Sequence, residues 1–140
     1  MSLFLYVAVL AGPHFVDGID GEPVNCIEAE QAADVTRCEL DNFQAAEKAL
    51  EQQLEKTITV LRNADERIDH QSNKEPGFLP TLRAAQRAWL TYRDETCVLE
   101  RLSAQGDGPA TMLEYICKTS MTEQRTTDLF LLAGRPEFQE

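Results

Sequence analysis

The chain has 140 residues, the size of one domain, and is 43% hydrophobic, enough to build a core without a cofactor to organise it. Its 24 Asp and Glu outnumber 13 Lys and Arg, for a formal net charge of −11. That balance argues against nucleic acid and anionic membrane surfaces, which both need a basic face, and leaves either a basic partner or plain solubility as its meaning.

In chain order, Leu3 to Ala11 form an apolar run of signal-peptide length, too short to span a bilayer as a helix. No Lys or Arg precedes it, and no A-x-A cleavage site follows. Leu10-Ala11-Gly12 resembles the start of a lipoprotein box, but Pro13 stands where the lipidated Cys belongs. Residues 1–18 read as an export segment, the alternative being a buried or frayed terminus. Residues 12–25 are rich in Gly, Pro and Asp and read as having little structure of their own, with 19–25 a linker into a domain at 26–134 and 135–140 a tail. No other stretch is long and apolar enough to cross a membrane.

The first long helix is predicted from about Arg37 to Ile68, with Thr36 and Glu39 as a capping box. Phe43, Ala46, Leu50, Leu54, Ile58 and Leu61 recur at steps of three and four and form one apolar stripe. Glu47, Lys48, Glu51, Glu55 and Lys56 make the solvated face. Asn73, Pro76 and Gly77 break the chain. A second helix starts near Pro80 and runs to about Ser103, its buried face marked by Leu82, Ala85, Trp89, Tyr92 and Leu99. After the Gln105-Gly106-Asp107-Gly108 loop, Gly108-Pro109 opens a third helix. It ends near Ala133, before Gly134 and Pro136, with Thr119-Ser120 as its expected weak point. The fold class is therefore all-α: an antiparallel bundle of three long helices, each needing the others to cover its apolar face.

Four cysteines, at 26, 38, 97 and 117, include no CxxC pair, and neither His14 nor His70 is near one in sequence. That is not metal-ligand spacing, and no metal or other cofactor is expected. An even count reads as two disulfides, given an oxidising compartment; a cytosolic chain with four free thiols is the competing reading. Bridged Cα atoms must lie within about 7 Å. On one continuous helix Cys26 and Cys38 would be about 18 Å apart, so they pair only across a turn, which the Thr36 cap places before Cys38. The loop at 106–109 reverses the chain between Cys97 and Cys117. The expected pairs are 26–38 and 97–117, each worth about 3 kcal/mol.

No catalytic site is legible. No histidine neighbours a serine or cysteine nucleophile, there is no phosphate-binding glycine loop, and Glu47, Glu51 and Glu55 step by fours as a solvated face does. The chain is read as a binding protein.

Gln86-Arg87-Ala88-Trp89-Leu90-Thr91-Tyr92-Arg93-Asp94-Glu95-Thr96-Cys97 resembles the AQ-x-A-W-x-x-Y-R-D-x-x-C core of the LprI-like lysozyme-inhibitor family. Cys117, Thr122, Arg125 and Leu129 look like its closing C-x4-T-x-x-R-x3-L, and Cys26, Cys38, Ala45, Ala46 and Leu50 fit its opening segment. The resemblance spans about residues 24–132. Two departures stand out. Ala46-Glu47-Lys48-Ala49-Leu50-Glu51 replaces the usual A-D-x-x-L-N, and the loop before the third helix lacks a serine-bearing glycine run.

The resemblance implies an exported, periplasmic or secreted helical protein of the bacterial envelope, in a family named for a mycobacterial lipoprotein that inhibits lysozyme. Its implied partner is a protein, a cationic glycan hydrolase of lysozyme type; the expected contact is an exposed loop or an acidic face, with the 70–79 connection and the 103–109 loop as candidates because loops on a rigid scaffold often carry binding. The alternative is an envelope binding or scaffolding module that leaves lysozyme alone. The motif residues are Gln86, Trp89, Tyr92, Arg93, Asp94, Thr122 and Arg125. Trp89 and Tyr92 read first as core. Gln86 and Arg93 read as a partly buried polar pair fixing register, with a binding hot spot as the alternative. Asp94 is expected to point away from Arg93. Arg125 is expected to meet a carboxylate from a neighbouring helix, and Thr122 to bond its own backbone.

Overall fold

A computed structural model describes residues 13–18, 21–68, 75–104 and 110–139. The export segment up to residue 12, the Asn73 break, residues 70–74 of the 70–79 connection and the Gly106–Pro109 loop lie outside the described residues. The elements are strands β1 (Phe15–Asp17) and β2 (Pro23–Asn25), then helices α1 (Ala32–Glu66), α2 (Phe78–Ser103), α3 (Ala110–Ala133) and the short α4 (Pro136–Gln139).

The hairpin is the first departure from expectation. Residues read as lacking structure pair antiparallel, Phe15 with Asn25 and Val16 with Val24. Three-residue strands are too short to show alternation in sequence. Gly21 turns the chain at φ 78°, a conformation that favours glycine. The hairpin is tied to α1 by the Cys26–Cys38 disulfide (Cα–Cα 5.7 Å) and by Arg37 Nη1, which donates to the Asp17 carbonyl at 2.8 Å. His14 Nε2 lies 2.8 Å from Asp41 Oδ2.

Helix α1 begins five residues earlier than predicted, and Thr36 does not cap it. Its hydroxyl instead donates to the Ala32 carbonyl at 2.7 Å, a bond made from inside the helix, and Glu39 accepts from Asn42 rather than reaching back. The turn that lets Cys26 meet Cys38 falls at residues 26–28, ahead of the Gln31 N-cap. The apolar stripe holds as read: Ala46, Leu50 and Leu61 are buried, with Leu54 and Ile58 packed against the core.

At the other end of α1, Asp65 makes the joint to α2. Its two carboxylate oxygens accept from the backbone N–H groups of Phe78 and Leu79 at 2.7 and 2.8 Å. These amides have no partner inside α2, and the carboxylate also suits the positive end of that helix. Gly77, the N-cap of α2, has no side chain with which to do this itself. A Cβ there would lie 2.9 Å from both Asp65 oxygens, so the absence of a side chain admits the carboxylate.

The core joins Leu50, Leu61 and Ala64 of α1, Leu82 of α2, Leu129 of α3 and Phe138 of α4. Burying each large side chain contributes about 1.5–3 kcal/mol. Pairs between α1 and α3 ascend together, Phe43 with Tyr115 and Thr57 with Leu129, and the same order continues past both helices in Arg67 with Phe138 of α4. Those involving α2 run the other way: Glu47 with Arg93 and Asp65 with Phe78, then Gln86 with Arg125 and Cys97 with Cys117. This is the order of an up-down-up bundle. Thr57 is fully buried, and its hydroxyl reaches the Leu129 carbonyl as well as that of Gln53.

Helix α3 passes unbroken through Thr119-Ser120, since tertiary packing outweighs the weak propensity there. The tail also differs from expectation. It folds back as α4, where Phe138 is buried edge-on against Phe78 (5.0 Å between ring centres) and its carbonyl accepts from Arg67.

Candidate functional site: the motif cluster and the face behind it

Helix α2 carries five of the motif residues, and their periodicity divides them. Gln86, Trp89 and Arg93 recur at steps of three and four and turn inward, toward Thr122 and Arg125 of α3. Tyr92 turns out to solvent.

Arg93 is the centre. It is 4% exposed, although the carboxylates that pair with it are about half exposed. Its Nη1 donates to Glu47 Oε1 at 2.9 Å and to Thr122 Oγ1 at 3.2 Å, and its Nε donates to Asp94 Oδ1 at 3.0 Å. The guanidinium carbon lies 5.2 Å from the ring centres of both Phe43 and Trp89. One planar cation therefore joins all three long helices. A planar fork can bond several partners at its edge while its faces meet aromatic rings.

Two sequence expectations fail here. Asp94 does pair with Arg93, because the long arginine side chain bends back along its own helix to a neighbour whose Cβ points elsewhere. Thr122 uses its hydroxyl to accept from Arg93 across the helix interface. Glu47, assigned to the solvated face, was missed as the third partner. Its place next to the Phe43 stripe was the available signal.

Arg125 repeats the arrangement one step along. Its Nε donates to Gln86 Oε1 at 3.0 Å, and its guanidinium carbon lies 5.8 Å from the centre of the Trp89 ring. The expected carboxylate from another helix is replaced by an amide oxygen. Burial pushes the Arg125 guanidinium below its usual value, and Asp128 on the same helix opposes that. Trp89 thus contacts two arginines, and Gln86, though buried, is satisfied. A neighbouring network ties Glu114 to Arg101 at 2.9 Å and to Lys118 at 2.7 Å. The Cys97–Cys117 bridge closes this end, with Met121 Sδ 3.7 Å from Cys97 Sγ.

The motif is therefore a buried polar staple. Among the described residues, no group of His, Cys, Asp and Glu could hold a metal ion. Two shallow surface grooves flank the bundle. One of about 560 Å³ lies between α1 and α3, lined by Ala45, Ala49, Thr119 and Thr126. One of about 510 Å³ lies beside the hairpin, lined by Phe15, Val24, Glu28, Glu30 and Asp34.

The sequence matches the model of the lysozyme inhibitor LprI family over residues 26–129, from the first cysteine to the fully buried Leu129. The chain belongs to the lysozyme inhibitor LprI family. It is also 29% identical, over 105 residues, to an uncharacterized protein of Rhizobium meliloti, covering 75% of this chain and 76% of that one. No solved structure matches. The matched family segment begins after the hairpin strands and contains all four cysteines and both bridges. Disulfides of this kind suit an oxidising compartment. Among the described residues no helix is long and apolar enough to cross a membrane.

Tyr92 and Leu99 complete the corrections. Both were assigned to the buried face of α2, and both are exposed, at 63% and 66%. Ala85, assigned with them, is exposed as well. The polar residues Gln86 and Arg93 occupy the inward positions instead.

Proposed function

We propose that the protein acts outside the cytoplasm by binding a cationic glycan hydrolase of lysozyme type and blocking its cleft. The observation that carries this reading is the family match over residues 26–129. The net charge of −11 supports it, because an acidic protein meets a basic enzyme faster than a neutral one would. The bundle supplies a rigid body, cross-linked by Arg93 and two disulfides, on which a contact surface keeps its shape without an ordering cost on binding.

The test is a lysis assay with purified, oxidised protein and several lysozymes, repeated after reduction and over a range of salt. Dose-dependent inhibition that weakens with salt and disappears on reduction is the expected outcome. A folded protein that inhibits no lysozyme refutes the reading and favours an envelope binding module with a different partner.

A further inference from the structure

Helix α2 carries two apolar stripes. The inward one, through Leu82, Trp89 and Cys97, builds the bundle. The outward one runs through Ala85, Ala88, Tyr92, Leu99 and Leu102, at steps of three, four and seven, and the bundle does not use it. Tyr92, Leu99 and Leu102 are each at least 60% exposed. Single exposed apolar residues are ordinary, but three large ones along one helix face make a strip, and such strips mark contact surfaces. Tyr92 and Leu99 stand two turns apart, about 10 Å along the axis.

The charges around this strip are one-sided. Glu95 lies between Tyr92 and Leu99, three and four residues from each, and Glu100 follows Leu99, both exposed. Between Tyr92 and Leu102 both basic residues are engaged elsewhere: Arg93 is turned into the core, and Arg101 is paired with Glu114. The result is an apolar ridge with a negative rim.

We propose that the Tyr92–Glu95–Leu99–Leu102 face of α2 is the surface that grips the cationic hydrolase, seating Tyr92 and Leu99 in an apolar hollow rimmed by Lys or Arg. This rests on the function proposed above and locates its contact. An aromatic anchor at the centre with charges at the edge is the usual anatomy of an interface hot spot. A second copy of this chain is the poorer occupant, because it would set one acidic rim against another on two strongly negative molecules.

The experiment measures binding of the full oxidised chain to a cationic c-type lysozyme, at low and high salt, alongside lysis inhibition. Tyr92→Ser and Leu99→Ser each lower affinity at least about tenfold. Glu95→Lys slows association and flattens the salt dependence. Phe130→Ser and Leu131→Ser, exposed on α3, bind within about twofold of the unaltered chain, as changes outside the contact should. All five positions face solvent, so helicity and melting temperature stay unchanged and loss of binding is not loss of fold. If the unaltered chain binds lysozyme and the Tyr92 and Leu99 variants bind equally well, this surface is wrong and the proposed function stands. If the unaltered chain binds no lysozyme, both fall. A dimer that Tyr92→Ser and Leu99→Ser convert to monomer assigns the strip to a second copy and overturns the proposal.

Discussion

Replacing Arg93 by Met keeps most of the side-chain volume and removes the fork. Thr122 Oγ1, on a fully buried residue, then loses the donor that reaches it, and two ring faces lose their cation. Removing one partner of a fully buried ion pair costs about 3–5 kcal/mol. Here the charges left behind, Glu47 and Asp94, are about half exposed and rehydrate, which brings the ionic part down to about 1–2 kcal/mol. The two cation–π contacts, desolvated on the protein side, add about 1–2 kcal/mol. Removing the arginine also relieves its own desolvation, which offsets part of this, and we expect a net loss of about 2–3 kcal/mol. For a chain of this size that lowers Tm by about 10 °C. Arg93→Lys keeps the charge but reaches one partner where the fork reached three, and should fall between. The assay is thermal and urea unfolding of the oxidised protein, followed by circular dichroism. A melting temperature for Arg93→Met within about 2 °C of the unaltered chain would refute the reasoning: the staple would then be replaceable by packing alone.

Three further outcomes are expected. Asp65→Ala removes the cap of α2 and should cost about 1–2 kcal/mol, with Gly77→Ala destabilising through the same carboxylate; equal urea midpoints for Asp65→Ala and the unaltered chain would contradict the joint. Phe138→Ala should cost about 3 kcal/mol because α4 is part of the core, and a chain ending at Ala133 should melt correspondingly lower; an unchanged melt would return residues 135–139 to the status of a tail. Replacing Cys97 and Cys117 together by Ala opens a 20-residue loop and should cost about 3 kcal/mol in urea, and a loss below about 1 kcal/mol would mean that helix packing alone holds the α2–α3 hairpin.

What the sequence made legible was whatever depends on long-range periodicity. Phe43 to Leu61 repeat without interruption, and the helix and its buried face follow from them. The disulfide pairing was legible because the distances available to each pair are few. Helix ends were less so. Thr36 with Glu39 has the composition of a capping box, but nothing in Ala32-Ala33-Asp34-Val35 stops a helix, and the bridge to Cys26 needs its turn earlier. The face of α2 was misread for a different reason. Tyr92 and Leu99 form an apolar pattern as regular as the true one, and spacing alone does not rank a stripe containing an arginine above a stripe containing a tyrosine. Only the partners on other helices, Glu47, Phe43 and Thr122, make the interior hospitable to Arg93. Those partners are 29 to 50 residues away, and no local pattern announces them.

The pairing of α1 with α3, and of Arg67 just beyond α1 with α4, constrains how the chain must be assembled. Thr57 meets the Leu129 carbonyl 72 residues further on, and Arg67 meets Phe138 at a separation of 71. The stripe of α1 is made first and covered last. A growing chain therefore carries an apolar helix covered by α2 alone until nearly all of it has been synthesised. Such a chain is open to proteases and to aggregation throughout that interval. It is equally well suited to being held unfolded until complete, and then collapsing in a single cooperative step.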